Sequence, residues 1–412
     1  MTATSRLGAE PILLAFSGGL DTSFCVPWLK ETYQRPVITV TVDTGGIDAA
    51  AAQSLAERSQ KLGAIEHHLI DARTPYFEQV LKYLLMGNVR RGGVYPLCVG
   101  AERVLQAQTI AQMALSLGTK MVAHGCTAAG NDQVRFEVAL RTLGPDLEII
   151  APVRDRAFKR PEQLKYLEDH RLPIPPFGAA YSVNRGLWGV TIGGKETLTS
   201  EGSIPDDAWV LSKDAFSAPR APQRHVIGFN RGVPVSLDGS ARSAVAIIEE
   251  LEQLAGPFGI GRGIHLGDTV IGTKGRVAFE APAADVLLTA HRELEKLVLT
   301  GKQARIKDAV AQPYGDLVHE GQHLDPVCRD IEALLLSSQA RVSGEVRVLF
   351  RPGSIFVEGV VSPYSLMAAS KGVYGESAGE WTPTDALGYS KMLALTGVFY
   401  HRAGAHAAGA DT

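Results

Sequence analysis

The chain has 412 residues, with 41 basic and 44 acidic side chains and a formal net charge of −3. Hydrophobic residues make up 45% and charged residues 21%. That balance excludes a disordered or collagen-like chain and argues against a protein held on nucleic acid by charge alone. At ~150 residues per domain the length suits two or three domains, enough to bury a core without staples.

Cys25, Cys98, Cys126 and Cys328 are too far apart in sequence for a zinc knuckle or a C-x-x-C pair. They read as reduced thiols of a cytoplasmic protein. Met1 to Pro11 carries no apolar signal-peptide region, and no apolar run approaches the ~20 residues that span a bilayer. Neither a membrane nor a nucleic acid is an expected partner.

The first third alternates strand and helix signals. Ile12 to Phe16 is a continuous apolar run that suits a strand buried on both faces. Thr22 to Glu31 reads as a helix capped by Asp21 or Thr22, bent or shortened at Pro27. Val37 to Val42 is a second strand, Asp48 to Leu62 an Ala-rich helix stopped by Gly63, and Ala64 to Ile70 a third strand. Ala101 to Leu117 is a helix ended by Gly118; Lys120 to His124 and Leu147 to Ala151 are strands. Strands separated by helices predict a parallel sheet. The proline-rich stretch Leu172 to Gly178 reads as a domain edge. Beyond it come a hairpin, His225 to Leu237, turning at Asn230-Arg-Gly232, and a helix over Arg242 to Ala255. Paired strands follow over Glu345 to Val361, then a last helix over Asp385 to Tyr400 with a frayed tail, Ala403 to Thr412. The expected fold class is α/β. A parallel-sheet, Rossmann-like nucleotide-binding domain (residues 1–172) precedes an α+β domain (173–380), and a C-terminal helix and tail (381–412) end the chain.

The segment Ala15-Phe-Ser-Gly-Gly-Leu-Asp-Thr-Ser23 joins the first strand to the first helix. Glycines let backbone approach a ligand closely, and a helix start offers unpaired N–H groups and a positive dipole end, which suit phosphate. Ser17, Thr22 and Ser23 add hydroxyls. Asp21 is an acid where an anion would sit, which makes sense if it holds a metal or positions the loop. The string is neither G-x-x-x-x-G-K-[ST] nor G-x-G-x-x-G. It resembles the S-G-G-x-D-[ST] loop (PP-loop) of the adenylating ATP pyrophosphatases. In the form S-G-G-L-D-T-S it resembles the argininosuccinate synthase family. His124-Gly-Cys-Thr-Ala-Ala-Gly-Asn-Asp-Gln-Val-Arg-Phe136, read as a strand end opening into a polar loop, is similar to that family's H-G-x-T-x-x-G-N-D-x-x-R-F. Val42-Asp-Thr-Gly-Gly46, Tyr95-Pro-Leu97 with Arg103, Tyr181-Ser182 with Thr191, Gly272 to Arg276, Phe279 to Pro282 and Pro383-Thr-Asp385 carry the likeness along most of the chain.

The resemblance implies ATP with Mg²⁺ as cofactors, citrulline and aspartate as substrates, and a homotetramer. It implies that ATP meets Ala15, Phe16, Ser17, Gly18, Gly19, Leu20, Asp21, Thr22, Ser23, Val42 and Gly125. Aspartate would meet Thr127, Asn131 and Asp132. Citrulline would meet Tyr95, Asn131, Arg135, Ser182 and Thr191. Asp21, Ser17 and Arg135 would carry the chemistry. Lys159 is a candidate extra cation or a solvated lysine, and His124 a candidate base or a structural histidine. Leu393, Leu395 and Val398 would pack on a neighbouring subunit or on their own chain.

The likeness breaks at the citrulline side. The family has Ser where this chain has Gly100, an acid and an Asn where it has Asn184 and Gly186, Glu where it has Gly267, and Tyr where it has Phe279. In the family that Glu and Tyr face the amino-acid end of citrulline. Either Asp268 or a water takes over, or the ureido substrate is a modified one, such as an N-acylated citrulline. Other pyrophosphatases (the GMP and NAD synthetases and the tRNA-modifying enzymes) share the loop. A non-catalytic nucleotide sensor on the same fold is the reading from another class.

Overall fold

The computed structural model describes residues 10–175, 181–370 and 379–410. Pro176, Phe177 and Gly178 of the proline-rich edge lie outside the described residues, as do the chain's ends, 1–9 and 411–412.

The apolar runs near the start form a five-stranded parallel sheet: β1 (Ile12–Ala15), β2 (Val37–Asp43), β3 (Glu66–Asp71), β4 (Met121–Ala123) and β5 (Glu148–Ile150). Their order is β3-β2-β1-β4-β5. The chain lays β2 and β3 on one side of β1, then returns to place β4 and β5 on the other. The crevice where that order reverses lies past the carboxyl ends of β1 and β4, the place where such sheets bind ligands. Every residue of β2 is buried, as its unbroken β-branched composition requires of a strand covered on both faces.

The crossovers are α1 (Leu20–Tyr33), α2 (Ala49–Lys61), a segment of α3 (Arg73–Tyr76), a π-turn (Phe77–Leu81) and α4 (Lys82–Met86), then α5 (Glu102–Leu117) and α6 (Asn131–Leu143). Three local readings change. Helix α1 begins at Leu20 with Gly19 as its cap, so Asp21 and Thr22 lie inside its first turn, and it continues through Pro27 to Tyr33. The stretch Arg73–Met86, which the sequence reading passes over, is helical and contributes the buried Tyr76, Phe77, Leu84 and Leu85. Asn131, Asp132 and Arg135 stand on a helix and not in a loop. Gly130 caps it, Asp132 suits the dipole of its first turn, and Phe136, Ala139 and Leu140 bury its inner face. Short helices α7 (Pro152–Asp155) and α8 (Arg160–Asp169) close this half.

The second half holds two antiparallel sheets. One has the order β11-β12-β7-β6, from β6 (Ser182–Gly186), β7 (Gly189–Gly193), β11 (Arg262–Asp268) and β12 (Lys274–Glu280). The other has the order β10-β9-β8-β13-β14, from β8 (Gln223–Asn230), β9 (Val233–Leu237), β10 (Ser240–Ala241), β13 (Gly344–Arg351) and β14 (Ser354–Val361). Helices α9 (Ala244–Ala255), α10 (Pro282–Val298), α11 (Gly301–Glu320) and α12 (Pro326–Ser338) accompany them. The carboxylate of Glu280, at the end of β12, is buried. It accepts the backbone N–H groups of Val210, Leu211 and Ser212 and the Ser212 hydroxyl, which ties the 210–212 stretch to the sheet.

One apolar core runs from Leu13 of β1 to Phe350 of β13, and residues 1–363 form one compact unit. The second unit, residues 364–412, contains α13 (Leu366–Ala369) and α14 (Pro383–Ala410). Thr382 and Asp385 cap α14 reciprocally. The helix runs on through the stretch expected to fray, which is rich in alanine, the strongest helix former. Leu393, Leu395 and Val398 are exposed.

Candidate active site

The loop after β1 is set by hydrogen bonds and one left-handed residue. Gly18 sits at φ +73°, and a Cβ there would overlap the Leu55 side chain. Arg58 Nη1 donates to the Gly18 carbonyl at 2.6 Å. Ser17 Oγ and Thr22 Oγ1 are 3.2 Å apart, and the Ser23 hydroxyl donates to the Gly18 carbonyl at 3.4 Å. Behind the loop, Thr41 Oγ1 donates to the Phe16 carbonyl at 2.6 Å. No side chain caps α1, so the start of the helix presents its N–H groups and dipole outward, as a phosphate site requires.

This loop forms one wall of a cleft of about 610 Å³. Ala15, Phe16, Ser17, Gly19, Asp21, Thr22, Val42 and Gly125 line it, as expected. Gly18, Leu20 and Ser23 shape the loop from behind. The cleft also takes in Thr44 and Arg103, which the likeness singles out, Asn184, which departs from it, and Glu102 and Gln106, which the sequence does not point to. Glu102 is buried, accepting from Thr44 Oγ1 and from Arg103 Nη1, each at 2.8 Å. Burial pushes its carboxyl up to about 7, against the opposing pull of Arg103. A Cβ on Gly186 would overlap the Glu102 carboxylate, so the side chain that the resemblance puts at 186 is displaced here by an acid from α5.

A second, inner chamber of about 220 Å³ adjoins the first. Arg103, Asp132 and Asn184 line both. Tyr95, Asn131, Arg135 and Thr191 line the inner chamber, bringing together four of the expected substrate residues from distant segments. Ser182 and Thr127 are exposed and lie outside both walls; from the edge strand β6 it is Asn184, two residues on, that reaches in. Asp132 receives Arg103 Nε at 2.9 Å and Arg135 Nη1 at 2.8 Å. Burial alone would raise its carboxyl, but those two guanidiniums hold it below the usual carboxylate range. Arg135 is itself buried, and its Nε donates to the His319 carbonyl at 2.8 Å. The Tyr95 hydroxyl donates to the Cys98 carbonyl at 2.5 Å, and the ring stacks on His265.

Arg91, His265, Arg276 and His319 also line the inner wall. They converge from four separate segments; Arg276 ends the Gly272 to Arg276 stretch of the likeness, and no spacing in the sequence announces the other three. His319, by burial first and then by Arg135 and Arg91, is held down to about 3 and is neutral near pH 7.

His124 is buried on the wall of the outer cleft. Its Nδ1 accepts the Cys126 N–H at 3.3 Å, and its Nε2 lies 3.9 Å from the Glu137 carboxylate. Lys159 caps α8, where its backbone N–H donates to Glu162, and lines neither chamber. Asp268 lines the inner chamber, but its carboxylate pairs with Lys274 at 2.5 Å. All four cysteines are free thiols. Among the described residues no three His, Cys, Asp or Glu side chains converge as a metal site, and no helix is long and apolar enough to cross a membrane.

Two family models match. The Arginosuccinate synthase N-terminal HUP domain matches residues 11–173, and the Arginosuccinate synthase C-terminal domain matches residues 181–400. The chain is 40% identical over 394 residues to the argininosuccinate synthase of Pyrobaculum aerophilum, covering 94% of this chain and 98% of that one. It is 40% identical over 401 residues to that of Xanthomonas campestris, covering 96% and 99%. It is 36% identical over 393 residues to that of Dictyoglomus turgidum, covering 95% and 97%. Family models over both halves and this full-length likeness agree: the chain belongs to the argininosuccinate synthase family.

Proposed function

We propose that the chain is an ATP-dependent ligase that joins a ureido compound, citrulline in the family's reaction, to aspartate, releasing AMP and pyrophosphate. The observation that carries the reading is the shared wall. A nucleotide in the outer cleft and a ureido group in the inner chamber would meet at Arg103, Asp132 and Asn184.

The chemistry explains why two chambers must touch. A ureido carbonyl is a poor electrophile, because both nitrogens donate into it, and an amine will not displace its oxygen as hydroxide. Attack of that oxygen on the α-phosphorus expels pyrophosphate and leaves AMP as a good leaving group. The aspartate amine then displaces AMP and gives argininosuccinate. The chain's part is positioning and charge stabilisation. The N–H groups at the start of α1, with Ser17 and Thr22, would hold the departing pyrophosphate. Arg103, cationic between the chambers, would face the charge that develops at the α-phosphate. Arg135, locked by Asp132 and His319, would orient the ureido substrate with Tyr95 and Thr191. Asn131 and Asp132 would border the aspartate. Thr127, in the loop after β4, and Ser182, at the start of β6, are exposed and would join only if those segments move in on substrate.

A magnesium ion would supply charge neutralisation on the triphosphate. The chain offers it Asp21 and the loop hydroxyls, beside which the nucleotide's own phosphate oxygens would complete its ligands. The same reading carries a cytoplasmic homotetramer, an assembly that sedimentation would test. Incubation with ATP, citrulline and aspartate should give AMP, pyrophosphate and argininosuccinate in equal amounts. Formation of ADP and orthophosphate would overturn the proposal, and so would nucleotide binding without turnover of any ureido compound.

A further inference from the structure

The inner chamber is lopsided in charge. Its wall carries the guanidiniums of Arg91, Arg103, Arg135 and Arg276. The carboxylates that could answer an ammonium are already engaged. Asp132 takes bonds from Arg103 and Arg135, and Asp268 stands exposed and paired with Lys274. Asn131 Oδ1 takes the Val270 N–H at 2.9 Å, and the acceptors left on the wall are the neutral oxygens of Tyr95, Asn184 and Thr191. His319 accepts from Arg135 Nη2 at its Nδ1, 3.2 Å away. Being neutral, it keeps its proton on Nε2 and is a further donor.

Gly267 shows how the imbalance arises. A Cβ built there would lie 2.5 Å from His265 Nε2 and 3.3 Å from Arg91 Nη1. The place where the resemblance puts a glutamate is therefore closed by an imidazole and bordered by a guanidinium. Arg91 is held there by its 3.0 Å bond to the Asp268 carbonyl. On the opposite wall a Cβ on Gly100 would come within 3.2 Å of Arg135 Nη2. An acid has gone, a cation stands beside its place, and neighbouring side chains fill both positions. A free ammonium on the substrate would face these cations with neutral oxygens alone to answer it and no free carboxylate, so its desolvation would be poorly offset. A carboxylate would find guanidinium donors, and an acyl group on nitrogen would remove the charge.

We propose that the inner chamber selects a ureido acid whose far end presents a carboxylate and no free ammonium, of the class of Nα-acylated citrulline, in preference to citrulline itself. The inference rests on the reading that this chamber holds the ureido substrate.

The test is a set of initial rates of AMP and pyrophosphate release with ATP and aspartate. The three ureido acids compared are citrulline, Nα-acetylcitrulline and 5-ureidopentanoate, which differ only at the α-nitrogen. The expected result is a kcat/KM at least ~10-fold higher for the two that lack an ammonium. Arg91→Gln should bring that ratio towards one by losing turnover of those two. Turnover of citrulline as good as or better than the others overturns the inference and leaves the ligase reading standing. An Arg91→Gln variant that lowers all three alike removes Arg91 from the assignment. Release of no pyrophosphate with any of the three overturns the ligase reading itself. The comparison on the unaltered protein decides even if the variant does not fold.

Discussion

Arg103 Nε donates to the Asp132 carboxylate at 2.9 Å, and the two residues stand in the wall common to both chambers. Arg103 also reaches Glu102 and Gln106 through Nη1. It is therefore fixed on two sides before any substrate arrives. A cation fixed in advance costs no reorganisation when charge develops beside it.

Truncating Arg103 should cost ~100-fold or more in kcat/KM, the scale of a lost preorganised donor. The loss with Asp132→Asn should not add to it. A double-mutant cycle on kcat/KM should return a coupling of about 1–3 kcal/mol, typical of residues in one hydrogen-bonded network. Simple additivity would show that the two act independently.

Gly18→Ala should abolish nucleotide binding more than it unfolds the protein. The substitution forces a side chain into the left-handed region, at about 1–2 kcal/mol, and drives it into Leu55. Isothermal titration with ATP should show no binding while the circular dichroism stays native. An unchanged dissociation constant would mean that the loop tolerates another shape.

Gly186→Asn, which installs the family's side chain, should destabilise the protein by about 1–3 kcal/mol through overpacking against Glu102. Combining it with Glu102→Ala should recover most of that loss, because the acid occupies the space the amide needs. Denaturant titration of the three variants checks this; a double variant less stable than both singles would refute the swap.

The raised Glu102 carboxyl makes stability depend on pH. The native state holds this proton up to about 7, well above the ordinary glutamate value. Its contribution is complete at low pH and is lost as pH rises through 7. His319 works the other way, since a histidine held neutral down to about 3 loses stability as pH falls below its ordinary range. The two slopes oppose each other at mildly acid pH, so the unaltered protein is a poor witness. The difference between Glu102→Gln and the parent is a good one. That variant should gain on the parent as pH rises from 5 to 8, by about 3 kcal/mol at most. A pH-independent difference would show that Glu102 titrates normally.

Much of this was legible in the chain. Ile12 to Ser23 reads as strand, turn and helix because apolar continuity, glycines and a hydroxyl-rich helix start coincide in twelve residues. Lining residues such as Tyr95 and Thr191 came from the likeness alone, since nothing in their own neighbourhood points to a ligand. The misreadings share a cause. Asn131 to Arg135 looked like a loop because glycine and asparagine suggest turns; the buried Phe136 and Leu140 that make it a helix matter only once a sheet is there to receive them. Arg91, His265 and His319 escaped because each belongs to a different segment, and only the packing of the stretch between α4 and α5 against α11 and β11 puts them in one place.

Glu280 carries a lesson about such comparisons. It sits in a stretch that matches the family, yet its carboxylate is consumed by the N–H groups of residues 210–212. Likeness at Glu280 therefore records how a passing loop is moored. Relatives can keep that mooring intact while the chemistry a few residues away drifts, so resemblance along this strand is a poor guide to what the enzyme consumes.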